Sequence, residues 1–253
     1  MEYKIYNAVQ VKKMADYYKL TITKEVTYGR SIRKYTPKGK ANQKKLKNNV
    51  QRAKNTVLEK ALCNDWTWFV TLTLDKAKYQ RDNLSVFQKD LSQWIRDYRK
   101  KYRKQDPAFD VKYLFIPELH GDGKNWHMHG LLSELPWDDL EPHPVRSLSK
   151  KGYLNWAPYQ KKFGFCSLGA IRDNTRTALY ITKYITKDLA RSVTDLDANL
   201  YYCSTGLNKA EVVSKGKLTK AVDFSLDFEG AWCSQQFVDQ YDFFKDYYLE
   251  LDL

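Results

Sequence analysis

The 253-residue chain has no apolar run near the roughly 18 residues that a membrane-spanning helix requires. Its opening residues, MEYKIYNAVQVKK, hold no signal-peptide apolar segment, so the expectation is a chain with no membrane partner. Cysteine is scarce and scattered: Cys63, Cys166, Cys203 and Cys233 form no CxxC pair. That spacing argues against a disulfide framework or a thiolate zinc site, and fits reduced thiols in a cytoplasm. There is no low-complexity tract, and the one short repeat is YITK–YITK at 180–187. What is present is a chain with 43 % hydrophobic and 15 % aromatic residues, too rich for disorder. Its length suits one domain with an appendage, or two small domains.

Acidic residues are outnumbered 43 to 30 by Lys and Arg, and the net charge of +13 is unevenly placed. Residues 1–62 carry a net +12, residues 63–221 a net +8 and residues 222–253 a net -7. A basic arm beside a basic centre points to a polyanionic partner, because Lys and Arg that neutralise phosphates release condensed counterions. The alternative is a solvated charged face. Residues 37–54 hold seven positive charges and no negative one. Lys40, Lys44, Lys45, Lys47, Arg52 and Lys54 are the candidate phosphate contacts.

Helix is expected from about Asn42 to Leu62, on a thin stripe of Leu46, Val50, Val57 and Leu58. The β-branched and aromatic run at Trp66–Leu74 reads as a strand. Asp82–Lys104 reads as a helix, with Leu84, Phe87, Leu91, Trp94, Ile95 and Tyr98 at spacings of three and four. Val111–Leu119 and Trp126–Leu132 read as strands joined in a hairpin by the Gly121–Gly123 turn. Pro117 points to an edge or a bulge. Pro136–Gly164 has no clear period and reads as an insertion or long loop. Phe165–Arg172 reads as a short strand, Asp173–Ala190 as a helix and Asn199–Ser204 as a further strand. Gln235–Leu249 reads as a helix with Phe237, Tyr241, Phe244 and Tyr248 on one face. The expected divisions are a basic helical extension over 1–62, a catalytic domain over 63–221 and an acidic aromatic helix within 222–253 that packs on the domain. The expected class is α+β with an antiparallel sheet.

Two constellations carry chemistry. On a strand, His127 and His129 share a face while Met128 points the other way. Glu118, on the preceding strand, reaches the same face if the hairpin pairs across its turn. Two imidazoles and one carboxylate leave positions open for a phosphate oxygen and water, a catalytic arrangement for a divalent metal. A solvated surface His pair is the alternative reading. His120 and His143 are expected to be ordinary surface or loop residues.

In the second constellation, Ala178, Ile181, Ile185 and Leu189 fall on one side of a helix, and Tyr180, Lys183, Tyr184 and Lys187 on the other. Tyrosines at helical spacing are often packing, but the companion lysines do not suit a buried face. A lysine also lowers a phenol's pKa and binds phosphate oxygens, as a nucleophilic tyrosine requires.

FVTLTL (69–74), WHMHGLL (126–132) and YITKYITK (180–187) stand in the order of the three motifs of HUH-type rolling-circle replication initiators, and the chain resembles the two-tyrosine phage and plasmid form. The resemblance spans about Trp66–Leu207. It implies a sheet of about five antiparallel strands flanked by helices, an RRM-like arrangement, with basic N-terminal and acidic C-terminal extensions. It implies that Glu118, His127 and His129 hold Mg²⁺ or Mn²⁺, that Tyr180 and Tyr184 are nucleophiles, and that Lys183 and Lys187 orient the phosphate. The implied activity is metal-dependent nicking and rejoining of single-stranded DNA at a replication origin, through a 5′-phosphotyrosine link that leaves a 3′-OH primer. The chain has no GxxxxGK[ST] loop, so helicase and polymerase are expected from a host or plasmid in a bacterial cytoplasm. A tyrosine placed after the His motif disfavours a relaxase and leaves an HUH transposase open. A non-catalytic single-strand-binding module, with tyrosines stacking on bases, is the other alternative.

Overall fold

The computed structural model describes residues 3–28, 43–186, 188–190, 192, 198–217, 227–229 and 233–246. In chain order the strands β1 (Tyr3–Met14) and β2 (Tyr17–Tyr28) precede the helix α1 (Gln43–Leu62). Then come β3 (Trp68–Thr73), α2 (Leu84–Tyr102), β4 (Tyr113–Leu119) and β5 (Trp126–Leu132). A 3₁₀ turn (Trp137–Asp139) leads to β6 (Leu140–Pro142), α3 (Arg146–Ser149), β7 (Leu154–Trp156), α4 (Ala157–Lys162) and β8 (Cys166–Ala170). The helix α5 (Asn174–Ile181) runs into a second 3₁₀ turn (Thr182–Tyr184), and β9 (Tyr202–Cys203), β10 (Glu211–Lys217), β11 (Phe228–Glu229), β12 (Cys233–Asp239) and α6 (Gln240–Asp246) follow. The class is α+β with antiparallel sheets and several helices, as expected.

The chain divides into two compact units, Lys40–Asn208 and Met1–Gly39 with Lys209–Leu253. This differs from the expected division at 62 and 221. The basic helix α1 belongs to the larger unit because Val50, Ala53, Val57, Leu58, Ala61 and Leu62 are buried along it. The sheet of this unit has seven strands, in the order β6-β7-β8-β3-β5-β4-β9, rather than about five. Its additions are short: β6 and β7 have three residues each and β9 has two. Strands of that length leave no period to read, which is why 136–164 reads as a loop. Buried aromatics anchor that segment instead, with Trp156, Tyr159 and Phe163 packed against Trp94 of α2.

Alternation along β3 and β5 divides the sheet into two faces. Trp68, Val70, Leu72, Trp126 and Met128 are buried on one, where α2 lays down Leu84, Phe87, Leu91, Ile95 and Tyr98. Asn83 starts that helix, accepting the Val86 N–H at 3.0 Å. The opposite face carries Phe69, Thr71 and Thr73 opposite Leu131, His129 and His127. Gly130 sits where the hairpin strands close up. A Cβ there would stand 2.5 Å from the Leu114 carbonyl oxygen and 2.3 Å from a Phe115 ring carbon. Pro117 pairs with Met128 on one side and lies beyond the Leu114–Phe115 stretch that pairs with β9, so its missing N–H leaves no rung broken.

The smaller unit is a five-stranded antiparallel sheet, β10-β1-β2-β12-β11, with a core of Val9, Val11, Tyr18, Leu20, Val238 and Phe243. Two expectations are corrected here. Residues 3–28 form a hairpin rather than helix, turning at Ala15 with φ +52°. Phe237 lies on a strand paired with Lys19, and helix begins only at Gln240. Partner strands override the three-and-four spacing of the aromatics, and Phe243, not Tyr241, stacks on Tyr18 at 4.1 Å. Tyr248 lies outside the described residues.

Candidate functional site

The β3–β5 register sets Thr71 opposite His129 and Thr73 opposite His127. The β4–β5 register sets Glu118 opposite His127. Each threonine hydroxyl meets the Nδ1 of its partner, at 3.1 Å for Thr71 and His129 and 2.8 Å for Thr73 and His127. Both rings therefore present Nε2 away from β3. Glu118 reaches diagonally, its Oε2 lying 2.6 Å from His129 Nε2. A neutral His129 satisfies both neighbours by donating Nε2–H to the carboxylate and accepting the Thr71 proton at Nδ1. His127 Nε2 is buried, with no hydrogen-bond partner among the described residues.

Burial lowers the pKa of His127, and the nearby His120, His129 and Arg81 add to the effect against the opposing Glu118. Burial also lowers that of His129, with Glu118 acting in the other direction. Both imidazoles are thereby biased to the neutral form that ligates metals. His120 is not isolated, as expected, but lies 4.9 Å from the His127 ring, with Asp122 3.4 Å from its Nδ1. His143 is also not a surface residue: it is 3 % exposed, accepts the Val145 N–H at 3.0 Å and meets Phe165 edge-on.

The tyrosines come from α5 and the turn after it. Asp173 caps α5 by accepting the Arg176 N–H at 2.8 Å. The expected continuous helix to Ala190 is interrupted. Ile181 is its last α-helical residue, Thr182–Tyr184 tightens into the 3₁₀ turn and Ile185 is non-helical. Thr186 then acts as a new cap, its hydroxyl accepting the Leu189 N–H at 3.0 Å. Ile181, Ile185 and Leu189 remain buried. Tyr184 is pressed flat on His129, ring centroids 4.2 Å apart at 14°. The hydroxyls of Tyr180 and Tyr184 are 3.2 Å apart, and Phe69 packs against both rings. Lys183 is exposed and holds its Nζ 5.1 Å from the Tyr180 ring centroid. Burial, the Tyr180 hydrogen bond and the Tyr180 and Glu118 charges push the Tyr184 phenol well above its ordinary pKa.

Glu118, Tyr180, Lys183 and Tyr184 line one cleft of about 420 Å³, with Thr186, Asp188 and Leu189 on its far wall. The two sequence constellations thus meet in one place. Lys187 and Lys40 lie outside the described residues. Lys44, Lys45 and Lys47 fall in the first turns of α1, and Arg52 is exposed further along it. Sequence reasoning misses Thr71 and Thr73, although T-x-T facing H-x-H across a paired strand is a legible signal. Among the described residues no three His, Cys, Asp or Glu side chains are gathered into a metal cluster, since Glu118 and His129 are hydrogen-bonded to each other. By donor type, two neutral imidazoles and a carboxylate fit a divalent cation, and the orphaned His127 Nε2 is a nitrogen with nothing else to bind.

An antiparallel sheet that presents paired histidines to a tyrosine-bearing helix defines a class of site suited to nucleic-acid phosphates. Residues 67–189, which run from β3 through the tyrosine turns, match the family model of replication-associated proteins of the ORF2 type. No curated protein and no solved structure matches the chain. The matched segment supports a role in DNA replication, and no described helix is long and apolar enough to cross a membrane.

Proposed function

We propose that the protein initiates replication by cutting single-stranded DNA at an origin and holding the 5′ end on a tyrosine, in the manner of a two-tyrosine HUH nickase-ligase. The observation that carries this reading is the stacking of Tyr184 on His129, with Tyr180 one hydrogen bond away, inside the replication-family segment. Glu118, His127 and His129 would hold Mg²⁺ or Mn²⁺, which when bound withdraws charge from a non-bridging phosphate oxygen. The chain's own groups do the rest. Thr71 and Thr73 fix the imidazoles, and Lys183 supplies positive charge at the cleft for the phosphate. A tyrosine Oη forms a bond to phosphorus as the P–O3′ bond breaks, and the phenolic proton ends on the departing 3′-OH. The phosphodiester is conserved in the tyrosyl ester, so rejoining needs no ATP. Lys187 is proposed with Lys183 at the phosphate, and Lys40, Lys44, Lys45, Lys47, Arg52 and Lys54 as phosphate contacts flanking the site. Helicase and polymerase are supplied in trans by the bacterial host or a plasmid.

Labelled single-stranded origin DNA incubated with Mn²⁺ tests the reading. Label transferred covalently to the protein is the expected result. A shifted but intact complex would assign the protein to the non-catalytic binding class instead.

A further inference from the structure

Tyr180 lines a second cavity besides the cleft it shares with Tyr184. A groove of about 420 Å³ lies on its other side, bounded by Phe69, Tyr153, Arg172, Arg176, Thr177 and Tyr180. Its floor is the end of β8 and the residue that follows, Gly169–Ile171. Gly169 makes room for an aromatic ring: a Cβ there would stand 3.0 Å from a Tyr153 ring carbon, closer than packed atoms normally approach. Phe69 meets Tyr180 edge-on at 5.5 Å, forming the wall shared with the catalytic cleft.

The charge on the rim is positive. Arg172 is exposed, and the Arg176 side chain is 88 % exposed. The Asp173 carboxylate is occupied as the cap of α5, and its ion pair with Arg176, at 3.8 Å in solvent, holds that guanidinium weakly. Two planar guanidinium groups beside flat rings match a phosphate joined to an unstacked base. A duplex does not fit this chemistry, because paired bases keep their faces stacked inside the helix.

We propose that this groove binds an unpaired nucleotide of the DNA strand next to the phosphate in the tyrosine cleft. The base lies on Tyr153 and Phe69, and its phosphate faces Arg172 and Arg176. The identity of the strand rests on the function proposed above, but the binding measurement does not depend on the chemistry.

The test uses the full chain and fluorescein-labelled oligo(dT) of about twenty nucleotides, followed by anisotropy over a range of salt. Tyr153→Ala should weaken binding about fivefold or more, while Tyr153→Phe, which keeps the ring, should bind as the parent does. The exposed pair Arg172→Gln with Arg176→Gln keeps the test sound if the tyrosine variant loses fold. It should flatten the slope of log K against log salt by roughly 0.7 for each phosphate no longer neutralised. Unchanged affinity in Tyr153→Ala together with an unchanged slope in the arginine pair would overturn the groove. If the variants behave as expected but the parent forms no covalent adduct with DNA, the groove stands and the nicking reading falls. If the adduct forms and all variants bind like the parent, the groove alone falls.

Discussion

Tyr184 and His129 come from segments 55 positions apart, yet their rings lie parallel at 4.2 Å. That contact ties the helix-turn bearing the tyrosines to the strand bearing the histidines. It makes the position of one candidate nucleophile depend on how the imidazoles are held.

The holding groups are Thr71 and Thr73, and they give the first prediction. A hydroxyl can donate to or accept from Nδ1, so it supports whichever tautomer leaves Nε2 free for an ion. Thr71→Val and Thr73→Val keep the shape and remove the polar partner. Each should weaken Mn²⁺ binding about 10- to 100-fold, and Thr→Ser should retain most of it. Calorimetry on the folded variants decides, and equal Mn²⁺ affinity in the valine variants would remove the threonines from the site.

Gly130 supplies a second, purely structural prediction. The groups its Cβ would strike include the Leu114 carbonyl oxygen, which is backbone and cannot rotate aside. Gly130→Ala should therefore destabilise the fold by about 1–3 kcal/mol, the range for overpacking a tight interior. Thermal denaturation against Gly121→Ala, which meets nothing within 4 Å, is the matched comparison.

The strands and helices that carry the site are legible because their patterns are long. WHMHGLL alternates over its whole length and α2 repeats its apolar face over five turns, and both hold close to the expected bounds. The break after Ile181 is not legible, since Thr182 and Thr186 are tolerable inside a helix and act as turn and cap residues only because the chain bends there. The N-terminal hairpin escapes a reading that takes its lysines for charge alone, while Val9, Val11, Tyr18 and Leu20, which alternate across the pair, form its core. The meeting of Tyr184 with His129 depends on tertiary packing, which no local period reports.

Asp110 provides a pH prediction. It lies against Arg99 and Arg103, each at 3.1 Å, and against Lys112. Arg99 also donates to the Val111 carbonyl and to Ser204 Oγ, joining α2 to the start of β4 and to the chain after β9. Burial alone would raise the Asp110 pKa, but the Lys112 hydrogen bond and the Arg99, Lys112 and Arg103 charges pull it below the ordinary carboxylate value. A folded pKa below the unfolded one gives stability that is full above about pH 5 and fades as pH falls below about 4. Asp110→Asn should thus be less stable than the parent by roughly 1 kcal/mol at pH 7, and nearly equal to it at pH 3. Urea midpoints at the two pH values check both the size and the sign.

The tyrosine pair is where the proposed mechanism meets its hardest test. Their hydroxyls are 3.2 Å apart, close enough for both to reach one phosphate in the shared cleft. They are not equivalent, because Tyr180 is 45 % exposed, whereas Tyr184 lies against His129 with a phenol pKa raised chiefly by burial. Losing a proton from Tyr184 is therefore harder in the empty cleft, and positive charge delivered beside it should help that residue most. Tyr180→Phe and Tyr184→Phe keep the rings and their packing while deleting the attacking oxygen. If both residues attack, each single variant should retain some covalent adduct with single-stranded DNA, and the double variant none. If one attacks, its variant alone should be inactive, and the other should react almost as the parent does. Mapping the DNA-linked peptide separates these cases. An adduct that persists in the double variant would mean that neither tyrosine is the nucleophile.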